Sequence, residues 1–170
     1  MNNSWIKYIL VFILVVLIQG LVVNSIQLNE YINPMVYPIM IMMLPFEMSA
    51  ILTMFVALLL GISVDAFSNT FGLHASAALF IGYLRPTIMK YIQPKEGYDI
   101  SLLPIIQDMG FVWFMIYGSV IVLLHHLWFF TFEILRFDLI LLILGKTIMS
   151  YLFSLALIIL FQYIFYKPSK

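Results

Sequence analysis

Apolar runs separated by short polar or proline-bearing stretches fill almost the whole chain. The first run, residues 5–23, holds a single charge, Lys7, near its start. A helical span needs about 20 apolar residues at 1.5 Å rise per residue, so this run is long enough to cross a bilayer. Val23-Asn24-Ser25 faintly imitates a cleavage site, and a removed leader is the alternative to a retained span. Residues 31–48 carry Pro34, Pro38 and Pro45, and their apolar core, 36–44, is short. Proline frees backbone groups that hydrocarbon cannot satisfy, so this segment is expected to be kinked or tilted and packed against protein, with a re-entrant hairpin as the alternative. Residues 50–64 and 72–92 follow, joined by a compact turn over 65–71 that makes them antiparallel neighbours. Residues 93–108 hold Pro94, Lys95, Glu96, Gly97, Asp99 and Pro104 and form the one sizeable polar connection, with 100–106 placed in the interface. Residues 110–130 and 139–166 complete the pattern, the last longer than the hydrocarbon requires and so tilted or projecting.

The pattern predicts an all-α polytopic membrane protein of about six transmembrane helices, in one integral domain over residues 1–170. Composition agrees: 64% of the 170 residues are hydrophobic and 9% charged, too few to coat a soluble globule. Eight basic residues balance eight acidic ones, and no basic run points to nucleic acid. With six spans and a cytoplasmic N-terminus, Lys7, Arg85, Lys90, Lys95, Lys167 and Lys170 fall inside and Arg136 outside, as the positive-inside rule requires. A re-entrant second segment would put the C-terminal lysines outside, which favours six spans over five. Trp5, Tyr31, Trp113, Trp128 and Tyr166 sit near span ends, as interface anchors do. The absence of cysteine excludes disulfides, thiolate metal sites and a Cys nucleophile.

The candidate chemistry is sparse. Ala57, Gly61 and Asp65 are spaced by four, and Gly72, His74, Ala75, Ala78 and Gly82 follow. Small residues on one helical face let membrane helices approach closely, so Ala57, Gly61, Gly72, Ala78 and Gly82 are expected to pack a helical hairpin. Asp65 has two readings. It caps the turn through the amides of Phe67 or Ser68, or it pairs with Lys146, which lies about 10 Å below the outer end of the last helix. Lys146 snorkelling to the outer surface is a further alternative. Thr147, Ser150 and Ser154 make the face around Lys146 polar. With His74, His125 and His126 they suggest an outer polar cluster. Adjacent histidines on a helix diverge by about 100°, so His125 and His126 do not chelate one ion, and neither metal nor cofactor is expected. Glu47 is expected to be solvated or tied to Arg85. The chain lacks a nucleophile elbow, a phosphate-cradling glycine loop and paired intramembrane aspartates, so no enzyme is expected.

The run Ala57-Leu58-Leu59-Leu60-Gly61-Ile62-Ser63-Val64-Asp65-Ala66-Phe67-Ser68, then Phe71-Gly72-Leu73-His74-Ala75 and Gly82-Tyr83-Leu84-Arg85, resembles the signature stretch of the rod shape-determining protein family MreD. Pro34-Met35-Val36-Tyr37-Pro38 resembles the same family. Motif similarity covers roughly residues 33–86, and length and hydropathy profile agree over the whole chain. Family members often place proline before the glycine of the turn, where Phe71 stands here. The resemblance implies a fold similar to the substrate-binding subunits of energy-coupling-factor transporters. It also implies a non-enzymatic scaffold of cell-wall elongation in the bacterial cytoplasmic membrane, with both termini cytoplasmic. The implied partners are MreC and, through it, a class B penicillin-binding transpeptidase, a shape and division family glycosyltransferase and MreB. Asp65, His74, Lys146 and Arg85 are the expected partner-binding or structural polar residues. The other function to be weighed is a vitamin-type uptake subunit that uses the Asp65, His74 and Lys146 region as its pocket.

Overall fold

The computed structural model of the protein describes residues 4–25 and 31–166. Lys167 and Lys170, and the side chain of Trp5, lie outside the described residues. Helix α1 (Ser4–Leu17) runs on through a π turn (Ile18–Val22) and a 3-10 turn (Val23–Ser25). Next come α2 (Pro38–Met42), α3 (Ala50–Ser68), α4 (Leu73–Tyr91), α5 (Ile106–Met109) and α6 (Phe111–Ile134). A 3-10 turn (Phe137–Leu139) leads into α7 (Ile140–Phe165). The protein is all-helical and membrane-embedded.

Among the described residues four helical stretches are long and apolar enough to cross a membrane: Ile6–Ser25, Ala50–Ser68, Phe111–Ile134 and Phe137–Phe165. The other two expected spans depart from that pattern for different reasons. Helix α4 has the length, 19 residues, but carries His74, Ser76, Arg85, Pro86 and Lys90, which lower its hydropathy. It sits inside, between α3 and α6, where polar side chains find protein partners. Residues 31–48 hold only the single helical turn and a half of α2, because Pro34 and Pro38 interrupt the amide ladder ahead of it. The whole of 34–44 is nevertheless buried. Its start touches α7, its middle meets His74, and the carbonyl of Leu44 reaches Arg85. By helical rise His74 and Arg85 are about 16 Å apart along α4, so the segment runs through the bundle centre over that depth.

An extended stretch buried in hydrocarbon requires partners for each amide. Polar side chains supply them. Gln19 Oε1 accepts from the amides of Val36 (2.7 Å) and Tyr37 (3.3 Å), while its Nε2 donates to the Pro34 carbonyl (3.2 Å). Ser150 Oγ accepts from the Asn33 amide (2.9 Å) and Ser154 Oγ from the Met35 amide (2.8 Å). Ser150 and Ser154 of the polar face expected beside Lys146 are therefore spent on this backbone, with Gln19 working from the opposite side, while the buried Thr147 hydroxyl has no hydrogen-bond partner among the described residues.

The α3–α4 hairpin packs as the small residues imply. A Cβ on Gly61 would lie 2.4 Å from the Ala75 Cα, and one on Gly82 would lie 3.0 Å from the Ala57 Cβ. Ala57 and Ala78 are fully buried between the two helices. Gly72 departs from the expectation: a Cβ there would meet nothing within 4 Å, and its φ of 86° makes it the turn residue before α4. The turn is also shorter than 65–71, because α3 continues to Ser68 and ends on Asn69 in the left-handed region. Two further glycines make room elsewhere, Gly20 for the Phe67 ring and Gly118 for Met42. Large apolar side chains such as Ile51, Val112 and Leu141 point outward, as a surface facing lipid allows.

Candidate functional site

Two buried polar centres lie on α4, one at its start and one in its second half. At the first, Asp65 projects from the last turn of α3 onto the first turn of α4. Gly72, at the N-cap of α4, has no side chain to accept from the free amides that begin a helix. Asp65 does so from the neighbouring helix. Its Oδ1 accepts from the His74 amide (3.0 Å) and from Thr70 Oγ1 (2.5 Å), and its Oδ2 from the Ala75 amide (2.9 Å). The positive end of the α4 dipole adds to this, since a carboxylate is favoured there. Asp65 is thus a cap, as one reading expects, but of the amides of His74 and Ala75 and not those of Phe67 or Ser68.

Lys146 does not meet Asp65. Its Nζ pairs with Glu133 of α6 at 2.9 Å and lies 5.1 Å from the centre of the Phe130 ring. Glu133 is one residue before the end of α6, so Lys146 finds an acid within reach of the membrane boundary. Glu133 carries no helical spacing relative to Lys146, which is why sequence reading misses it.

The histidines form a chain centred on Tyr37. The Tyr37 hydroxyl lies against His125 Nε2 and 3.2 Å from His74 Nδ1. Among the described residues His125 Nδ1 has no hydrogen-bond partner. A buried orphan N–H costs more than a bare lone pair, so the geometry assigns the His125 proton to Nε2. His125 then donates to Tyr37, whose own proton has two acceptors within reach on His74, Nδ1 at 3.2 Å and the carbonyl at 3.4 Å. In His126 the order is set by the Val122 carbonyl, which accepts from Nδ1 (2.8 Å), leaving Nε2 to accept from Ser154 Oγ (2.9 Å). Among the described residues, no group of His and acidic side chains has the arrangement of a metal site. His74 also lines a cavity of about 300 Å³ at this end of the bundle, together with Asn24, Asn33, Ser68, Thr70 and Glu133.

The second centre is Arg85, 1% exposed. Its Nε donates to Tyr117 Oη (3.0 Å), its Nη2 to the Leu44 carbonyl, and both Nη atoms reach the Pro45 carbonyl at 3.5 Å. Tyr117 in turn donates to the Met42 carbonyl (3.1 Å). Arg85 thereby ties α4 and α6 to the chain leaving α2. Glu47, two residues beyond Pro45, is exposed and forms no ion pair with Arg85. Of the expected polar residues, then, Asp65 and His74 come together, Lys146 lies near them on another partner, and Arg85 stands apart.

Sequence reading misses Gln19, Tyr37, Tyr117 and Glu133. Gln19 alone carries a usable signal, as the one strongly polar side chain in the middle of the first apolar run. No protein-family model, curated protein or solved structure matches this chain.

Proposed function

We propose that this chain is a non-enzymatic scaffold of the MreD type, which binds MreC in the bacterial cytoplasmic membrane and helps to hold the cell-wall elongation machinery together. In this reading the buried segment around α2 and the interior helix α4 complete six crossings, with both termini cytoplasmic and a fold like that of the energy-coupling-factor substrate-binding subunits. The transpeptidase, the glycosyltransferase and MreB are reached through MreC. One observation supports it above others. The residues that carry the resemblance meet each other: Asp65 holds the amides of His74 and Ala75, Gly61 lies on Ala75, and Gly82 lies on Ala57. A motif consumed in making one rigid hairpin suits a protein that presents a surface. Its carboxylate is already bonded through both oxygens, which suits catalysis less.

The uptake-subunit reading is favoured by the cavity of about 300 Å³ beside His74, at the small end of the range for ligand pockets. Solubilising the membranes in mild detergent and pulling down the full chain separates the two. Co-purification with MreC, and not with an ATPase module, supports the scaffold. A vitamin-sized molecule retained through purification overturns it.

A further inference from the structure

Arg85 carries a full positive charge in the interior, and its partners among the described residues are neutral oxygens: the Tyr117 hydroxyl and the carbonyls of Leu44 and Pro45. Among the described residues the ion pairs are Arg136–Asp138 and Lys146–Glu133, and no described acid pairs with Arg85. A buried charge without a counter-charge is costly, and an ionisable side chain inside a membrane protein is a candidate functional site even where backbone carbonyls hold it. The guanidinium has capacity for a further acceptor. Its Nη1 reaches only the Pro45 carbonyl, at 3.5 Å, although it carries two hydrogens.

Arg85 also lines a cavity of about 210 Å³, with Phe46, Met48, Lys90 and Tyr98. Lys90 is exposed and adds a second positive charge at its rim. A separate groove of about 280 Å³ runs between α1, α2 and α3, walled by Tyr8, Phe12, Leu44, Met48, Val56 and Leu59. Met48 borders both spaces. Leu44, whose carbonyl holds the guanidinium, borders the groove. A cavity lined by two cations therefore adjoins an apolar groove, with Met48 in the wall of both.

We propose that the two spaces together bind one anionic phospholipid from the adjoining leaflet, its phosphate at Arg85 and Lys90 and an acyl chain in the groove past Met48. Guanidinium and ammonium groups recognise a phosphodiester by charge-assisted hydrogen bonds. The apolar groove selects a lipid over free phosphate. A partner's carboxylate is the alternative that the test below separates from a lipid. The proposal does not rest on the scaffold reading.

The test uses the full chain, purified and stripped of lipid in detergent, with bound lipid counted by native mass spectrometry and the melting temperature followed. The additions are phosphatidylglycerol, phosphatidylcholine with the same acyl chains, and inorganic phosphate. Phosphatidylglycerol is expected to bind one to one and raise the melting temperature saturably, with phosphatidylcholine and phosphate far weaker. Arg85→Gln abolishes that selectivity. Because Arg85→Gln also removes bonds to Leu44 and Tyr117 and can fail to fold, two rim variants carry the same question. Lys90→Gln weakens phosphatidylglycerol by about five-fold, as expected for one surface cation. Met48→Trp, which plugs the junction, weakens it as well. Equal binding of the two lipids, an equal shift from phosphate, or unchanged binding in both rim variants overturns the proposal. So does an Arg85→Gln protein that keeps its lipid and loses a co-purifying protein, because that assigns the charge to a partner's carboxylate.

Discussion

Helix α4 buries an anion's partners at one end and a cation at the other, and the two are compensated in different ways. The Asp65 carboxylate is satisfied by backbone amides and a hydroxyl supplied within a few residues of the α3–α4 turn, aided by a helix dipole of the right sign. The Arg85 guanidinium is satisfied by carbonyls and a phenol drawn from α6 and from the chain after α2, with no opposite charge among the described residues. A local cap closes on itself and leaves nothing to bind. A cation held only by dipoles keeps its field, so the proposed anion site belongs at the Arg85 end, where the cavity meets it, while the Asp65 end is structural. Both ends take hydrogen bonds in comparable number, so the contrast lies in charge and not in contacts.

The sharpest way to break this contrast is at the hairpin that carries Asp65. Gly61→Val sets a Cβ against the Ala75 backbone, which cannot move without parting α3 from α4. The expected loss exceeds about 3 kcal/mol, seen as disappearance of the folded peak in size-exclusion chromatography. Asp65→Ala leaves the His74 and Ala75 amides without acceptors in the interior. It is expected to cost about 2 to 3 kcal/mol by thermal unfolding in detergent, with Asp65→Asn between it and the wild type because one amide keeps an oxygen. If Asp65→Ala melts with the wild type, the cap is not what holds the turn.

Arg85→Gln is expected to cost less in lipid-free detergent, about 1 to 2 kcal/mol, because the lost hydrogen bonds are offset by relief of a buried charge. Adding phosphatidylglycerol should widen the gap from wild type for Arg85→Gln and leave it unchanged for Asp65→Ala. A gap that widens equally for both would erase the distinction between the two ends. The smallest effect belongs to Lys146→Met. Its side chain and that of Glu133 are 19% and 31% exposed, so the pair should contribute under about 1 kcal/mol, and the variant should melt within a few degrees of the wild type. A loss as large as that of Asp65→Ala would mean that Lys146 supports the Asp65 turn after all.

Much of the architecture is legible in the residues taken in order. Hydropathy is additive over a window, so an apolar run of about 20 residues declares itself, and the runs that became α1, α3, α6 and α7 did so. Spacing is nearly as local, which is why Ala57, Gly61, Ala78 and Gly82 could be placed on the facing sides of one hairpin. Gly72 could not be told from them, because a packing glycine and a turn glycine are the same letter, and only φ and the empty space beside it decide between them.

What the tertiary structure alone decided concerns partners far apart in sequence. That residues 31–48 would pass through the interior mostly unwound depends on Gln19 from one side and Ser150 and Ser154 from the other. That Lys146 takes Glu133 and not Asp65 depends on how α6 and α7 cross. The physical reason is that hydrogen bonds and ion pairs act over a few ångströms between chosen atoms, whereas hydropathy acts on each residue by itself. The sequence by itself therefore determined that this protein lives in a membrane and where its long helices and its tight hairpin lie. Packing decided which distant groups hold each buried polar side chain, and that Arg85 is held by neutral oxygens with no opposite charge among the described residues.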